Sequence, residues 1–198
     1  MSGNGKNKTA PTVRGTFGRK SVACLATAVI VLLTIFLSGG RGLRKLRTQA
    51  ASTFTEGVAG DGLSIAHDLN QRLENAGNLA IVARRYRPND EALSALDSAC
   101  EVLRRALEQS ERKKDMAAAN RALGDAVEVL YRAMDGWTLN ETDKNLAAKQ
   151  YRSFLSAADT ISHDGYNQQA REFNLTLGGF PAWMIRMVTG VKPLELFE

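Results

Sequence analysis

Polar and apolar positions follow two different rules along this chain. From Ser21 to Gly40 no side chain is charged, and Val22 to Leu37 is strongly apolar throughout. Arg19-Lys20 precede this stretch and Arg41 follows it. From Leu63 onward, apolar residues instead recur every three or four positions among charged ones. The first pattern suits apolar surroundings on every side; the second suits a helix with one face in a core. A bilayer's hydrocarbon layer is ~30 Å thick, and a helix crosses it with ~20 mainly apolar residues. The backbone must be helical there, because no water satisfies its polar groups. The pattern therefore predicts a transmembrane helix over 21–40. A cleaved signal peptide competes with this reading, but its apolar middle usually runs ~7–15 residues. A core helix rarely lacks a polar face. Cys24 sits near the start of the run, a position that suits packing within the membrane.

The periodic part predicts four amphipathic helices. The first runs from about Leu63 to Tyr86, with Ile65, Leu69, Leu73, Ala76, Leu79, Ala83 and Tyr86 on one face, and Pro88 forbids its continuation. The second, about Asp90 to Ser110, carries Leu93, Leu96, Cys100, Leu103 and Leu107, with Asn89 as its expected cap. A charged link at 111–114 leads to the third, built on Met116, Ala119, Leu123, Val127, Leu130 and Met134 and closed by Gly136. The fourth opens at Asn140, with Asp143 three residues on, much like a capping box. Its stripe is Ala147, Tyr151, Phe154, Ala158 and Ile161. After Gly165 the stripe restarts one residue out of phase, so the helix bends there or Gly165 admits a close neighbour.

Short links make successive helices antiparallel. The expected fold is all-α: one transmembrane helix, then an antiparallel bundle of three to four long helices over 63–198. Ala, Leu, Glu, Arg and Gln dominate, and only four prolines occur, which agrees with this. Arg41 to Phe54 continue the membrane helix outward, and Gly57, Gly60 and Gly62 interrupt it, making Glu56–Gly62 a flexible joint. The segment 41–62 is thus a basic juxtamembrane piece with a glycine-rich end. Residues 1–20, rich in Gly, Asn, Thr and Lys, read as disordered.

Near the carboxyl end an aromatic recurs every seven residues, in Tyr166-Asn167, Phe173-Asn174 and Phe180-Pro181. Seven residues are two helical turns, so Tyr166, Phe173 and Phe180 share one stripe, with Asn167 and Asn174 on its flank. The reading is core packing, with the asparagines fixing register; an aromatic-lined groove is the alternative. On that reading Phe180→Ala would cost ~3–5 kcal/mol, as for a buried aromatic. The next segment, 182–190, is short and very apolar, with Arg186 as its one charge. It either caps the core or lies at the membrane surface with Trp183 at headgroup level.

Charge changes the picture in one respect. The formal net charge is +5, and Lys6, Lys8, Arg14, Arg19 and Lys20 supply all of it. The rest is balanced, which argues against a nucleic-acid partner. Arg19, Lys20, Arg41, Arg44, Lys45 and Arg47 flank the apolar run, where each gains ~1 kcal/mol beside anionic lipid. Five basic residues before the run against four after it are too evenly divided to orient the span; the slight excess before it leans toward the amino end in the cytoplasm and the bundle outside, and the side of the bundle stays open.

Candidate chemistry is sparse. His67 and His163 are the only histidines, neither sits in a metal-ligand spacing, and no Gly-x-Ser-x-Gly elbow or phosphate loop occurs. No catalytic residue, metal or cofactor is expected. The sequons at Asn7, Asn140 and Asn174 matter only in a eukaryotic secretory route. A binding site would require His67, His163, Asp164, Asn78, Asn167 and Asn174 to converge on a pocket.

The spaced Tyr166-Asn167, Phe173-Asn174 and Phe180-Pro181, the apolar stretch after them, Gly190 and the closing Phe197-Glu198 resemble the carboxyl end of the LemA family. The segment from Gln71 through Asn78-Leu79 to Arg85-Tyr86 is similar to that family's first helix. This chain has Gly77 where many members have proline, and Phe173 where tyrosine is frequent. The resemblance implies a bacterial, membrane-attached helical bundle with no catalytic residues to transfer, and a topology with the bulk inside. The function expected is a membrane-anchored interaction or scaffold protein of the envelope, with the bilayer and a membrane or envelope protein as partners and homo-oligomers possible. The alternative is a bundle that binds a ligand or metal on polar core residues.

Overall fold

The computed structural model describes residues 16–109 and 112–198, with side chains from residue 22 onward. Seven helices follow in order: α1 Thr16–Glu56, α2 Ile65–Tyr86, α3 Glu91–Gln109, α4 Lys113–Asp135, α5 Glu141–His163, α6 Tyr166–Gly178 and α7 Ala182–Thr189. No strand occurs among the described residues. Most of the segment expected to be disordered lies outside the described residues, and α1 already begins at Thr16.

α1 is one uninterrupted rod of 41 residues. Its apolar amino-terminal part is long and apolar enough to cross a membrane, and the most apolar window is buried nowhere in the protein. The rod ends where three glycines stand. Gly57, Gly60 and Gly62 all have positive φ, which a side chain would strain. The Gly57 N–H still donates to the Thr53 carbonyl at 3.0 Å, and Gly62 N–H donates to the Glu56 carbonyl at 2.9 Å, so the joint is a hydrogen-bonded turn. Ser64 then caps α2, accepting from the His67 N–H at 3.2 Å while donating to the Thr55 carbonyl at 3.1 Å.

Helices α2 to α5 form the four-helix bundle. Arg85, at the end of α2, meets Asp143, at the start of α5, which makes these two helices antiparallel neighbours. The expected stripe of α4 is entirely buried, as are Leu93, Leu96, Cys100 and Leu103 of α3. Burial pushes the Cys100 thiol up to about 11, so it behaves as an apolar core group. Tyr131 and Tyr151 stack face to face, 4.0 Å between centroids, across α4 and α5. Two expectations shift by a residue. Asp90, not Asn89, caps α3, its carboxylate accepting the Ala92 N–H at 2.9 Å. On α5, Ala157 is buried where Ala158 is only partly so.

The chain after His163 does not extend the bundle. At Gly165 it turns so tightly against the α1–α2 turn that a Cβ there would lie 2.8 Å from Val58 Cγ2. α6 then runs along the polar-rich half of α1, and α7 packs on α1 as well. The stripe of aromatics is therefore only two members long. Tyr166 and Phe173 are buried, but α6 ends at Gly178 and Phe180 is 81% exposed in the corner beyond it. The helical period on which the third position depended stops at Gly178-Gly179, just before Pro181.

Asp143 is the most connected polar group of the bundle. Its side chain is 8% exposed and accepts from Arg85 at 2.9 Å, the Tyr86 hydroxyl at 2.7 Å and Asn140 Nδ2 at 3.1 Å. Its N–H donates to Asn140 Oδ1 at 2.7 Å. Asp143→Ala removes several charge-assisted hydrogen bonds and should cost ~2–4 kcal/mol, read as a lower midpoint in thermal unfolding of the full chain in detergent. Phe180→Ala should leave that midpoint within the range of surface changes, about 0.5 kcal/mol.

Candidate functional site

The most elaborated part of the molecule outside the bundle is the stalk in which α1 from Arg41 to Glu56 is joined by α6, α7 and the segment 191–198. Phe54 stands at its centre, 2% exposed. Its ring lies 5.3 Å from Tyr166 edge to face and 5.8 Å from Phe197, and Lys113 Nζ sits 3.6 Å from its centroid. Such ring pairs and the cation add to the burial of the aromatic itself. Desolvation there lowers the Lys113 ammonium from its usual range, with Glu195 acting in the opposite sense.

Two asparagines clasp the segment 191–198. Asn174 Nδ2 donates to the Leu194 carbonyl at 2.9 Å and Asn174 Oδ1 accepts the Leu194 N–H at 2.8 Å. Asn167 repeats this with Phe197, at 2.9 and 2.7 Å. Each side-chain amide therefore mimics a neighbouring strand, satisfying both backbone groups of one residue. Between them the Tyr166 hydroxyl donates to the Glu195 carbonyl at 2.7 Å, and burial pushes that phenol up to about 12. Glu195 Oε2 accepts the Lys113 N–H at 3.0 Å, and Glu198 pairs with Arg171 at 2.9 Å. The clasp works because residues 167 and 174 lie two turns apart on α6, while 194 and 197 lie three apart on an extended segment, giving comparable spans.

The basic residues after the apolar run divide. Arg44 donates to the Thr189 carbonyl at 3.3 Å and Arg47 to the Lys192 carbonyl at 3.0 Å. Arg41 and Lys45 are exposed. The side chains of Arg19 and Lys20 lie outside those described. Among the described residues α7 packs on α1 and α6, and it rests on α1 where Gly39 and Gly40 stand. A Cβ on Gly39 would lie 2.6 Å from Ile185 Cδ1, and one on Gly40 2.5 Å from Thr189 Cγ2.

The candidate site residues do not converge. His67 and His163 are exposed, and His163 interacts only with its own turn, through the Asp159 carbonyl and Ser162. Asp164 accepts the Tyr166 N–H at 2.7 Å. Asn78 is partly buried next to the core residue Leu79. Among the described residues no group of three His, Cys, Asp or Glu side chains is placed to hold a metal. Pro181 precedes α7.

The structure does contain a polar seam in the bundle core, in residues the apolar pattern concealed. Asp68, Arg72 and Asn75 on α2 and Asn120 on α4 are all buried. Asp68 Oδ2, Arg72 Nε, Asn75 Nδ2 and Asn120 Oδ1 find no hydrogen-bond partner among the described residues. Arg72 lies over the Phe154 ring, 4.0 Å to its centroid, and its Nη2 would be 3.2 Å from a Cβ on Gly124. Desolvation lowers Arg72 to about 10 and raises the Asp68 carboxyl above its usual range. The sequence does carry the signal: 68, 72 and 75 form a polar stripe at i, i+4 and i+7, one position behind the apolar stripe. A groove of about 450 Å³ opens elsewhere, at the distal end between α4 and α5, against Trp137 and Lys144.

Asn174→Ala should cost ~1–3 kcal/mol, because the Leu194 backbone loses both partners. Hydrogen exchange should quicken at Leu194 and remain slow in α2. Arg72 remains charged at neutral pH, and its lowered folded value means the desolvation cost is fully present there, fading only as pH rises through about 10. Arg72→Met keeps the stem and removes that cost. Its midpoint should equal or exceed the parent's; a loss above ~2 kcal/mol would show that the guanidinium is held by a stabilising partner. No family model, curated protein or solved structure matches this chain.

Proposed function

We propose that this chain is a single-pass, membrane-anchored scaffold of the bacterial cell envelope, which holds a helical bundle near the bilayer for another membrane or envelope protein to bind. The observation that carries the reading is the apolar window of α1, none of it buried in the protein, continuous with the rod to which the rest of the molecule is fastened. A rod that passes unbroken from an apolar surface into a packed stalk transmits position without a hinge. The basic Arg41 and Lys45 at the exit suit anionic headgroups. Asn167 and Asn174, the polar residues with the clearest spacing, bind the chain's own backbone. The residues shared with the LemA carboxyl end, from Tyr166 to Phe197-Glu198, support placing the chain near that family. The reading assigns no reaction, metal or cofactor to the protein.

A second reading is a bundle that takes a ligand on polar groups in its core, and the four unpaired atoms at Asp68, Arg72, Asn75 and Asn120 favour it. The two readings separate on experiment. In native membranes the full chain should remain in the pellet after carbonate washing, and release would end the anchor reading. A photo-crosslinker at the exposed Val102 or Val129 should give one discrete adduct with a membrane or envelope protein. Absence of any adduct, with the chain still in the pellet, would count against the scaffold and leave the core seam as the working hypothesis.

A further inference from the structure

α7 leaves much of its apolar surface outside the protein. Ile185 alone is buried, whereas Trp183, Met184, Met187 and Val188 are 44%, 39%, 76% and 67% exposed. At 100° per residue these four fall within an arc of about 140°. Ile185 and Thr189 lie on the next sector, turned to α1, and Arg186 lies on the third. Two more apolar residues before the helix are exposed: Leu175, 76%, near the end of α6, and Phe180, 81%, in the corner between the two helices. Contiguous apolar surface of this kind on a folded protein marks a contact.

The position of α7 along α1 says what the contact is. Ile185 and Thr189 meet α1 at Gly39 and Gly40, the last two residues of the uncharged run. Arg44 and Arg47 hold the carboxyl end of α7 and the residues after it through the carbonyls of Thr189 and Lys192. The level of α7 on the rod is therefore set by direct contact, at the boundary between apolar and basic residues. No acidic residue occurs in 22–55 or in 173–194, while Arg41, Arg44, Lys45, Arg47, Arg186 and Lys192 all lie in these two segments.

We infer that α7 lies in the surface of the bilayer as a second membrane contact, with Trp183, Met184, Met187 and Val188 among the upper acyl chains and Arg186 at the level of the phosphates. The inference rests on α1 being a span, and it adds a lipid-facing surface contributed by residues some 145 positions later in the chain. A short helix with an apolar arc and a basic flank is suited to that depth, where tryptophan is favoured. Fixed on α1 at one side and in lipid at the other, α7 turns a single rod into a two-point footing and restricts the tilt of the stalk.

The test uses the full chain in vesicles of phosphatidylcholine and phosphatidylglycerol, with acyl chains brominated near the headgroup. Trp137 and Trp183 are the two tryptophans, so Trp137→Phe isolates Trp183 and Trp183→Phe isolates the distal Trp137. Trp183 should emit at shorter wavelength, lose intensity to the bromolipid and resist aqueous iodide. Trp137 should respond to iodide and ignore the bromolipid. Replacing Met187→Glu and Val188→Glu together should abolish the bromolipid response of Trp183 while the chain still resists carbonate. If Trp183 is quenched by iodide and not by bromolipid, α7 faces water and the inference falls. If Trp183 is shielded from both, a second copy or a protein partner covers α7, and the inference falls equally. In either case carbonate resistance would leave the anchor standing. Release into carbonate would overturn both.

Discussion

Everything outside the four-helix bundle converges on the ring of Phe54. Three separate pieces of chain reach this α1 residue: Tyr166 at the head of α6, Phe197 in the segment 191–198 and the Lys113 side chain at the start of α4. A single buried aromatic thus fastens the long rod to the bundle and to the returning segment. The turn at Gly57 follows three residues later, so the rod is held at its far end, where leverage from the apolar half would be greatest. The remaining stalk contacts, down to Gly39 and Gly40, are made by elements whose direction that junction has already determined.

How much of this the amino-acid pattern reveals depends on how local the cause is. Helix spacing, Pro88, the Asn140 cap and the glycine turn act within a few residues, and the all-α fold with a bundle of three to four helices was legible from them; the Ser64 cap was not read from the sequence. α4 shows this best, since each apolar position at helical spacing is buried. The destination of the chain after Gly165 was not legible. Seven-residue spacing assigned Tyr166, Phe173 and Phe180 to one face, but spacing carries no information about where a helix stops or which neighbour it meets. Phe180 fell outside because two glycines and a proline end α6 first. The asparagines were expected to fix helix register through cross-helix hydrogen bonds. What they hold is backbone from 194 and 197, and no periodicity in the sequence points to an irregular segment.

Polar residues are handled in two contrasting ways. On α6, Asn167 and Asn174 use both ends of the side-chain amide, so their partial burial is fully compensated. In the bundle seam, Arg72 lies on a ring face with its Nε unpartnered among the described residues, and three neighbours on the same two helices carry unpaired atoms. A guanidinium desolvated this way is an expensive feature for a core that leucine would fill, and its value lies in specificity or binding more than in stability. The close approach of Arg72 to Gly124 shows that α4 lacks a side chain where α2 needs room for a long one.

The order in which the chain is synthesised gives the clasp a further consequence. The lower stalk contains α1 residues made early, yet its other wall is made about 145 residues later, after the entire bundle. Bringing such distant segments together carries a large loop-closure cost, which the finished bundle reduces by acting as a rigid bridge between them. On the ribosome, then, Phe54 and Leu43 remain uncovered until the last helices emerge. The neck of this fold closes only once α6, α7 and the segment 191–198 have been made, well after the bundle it adjoins.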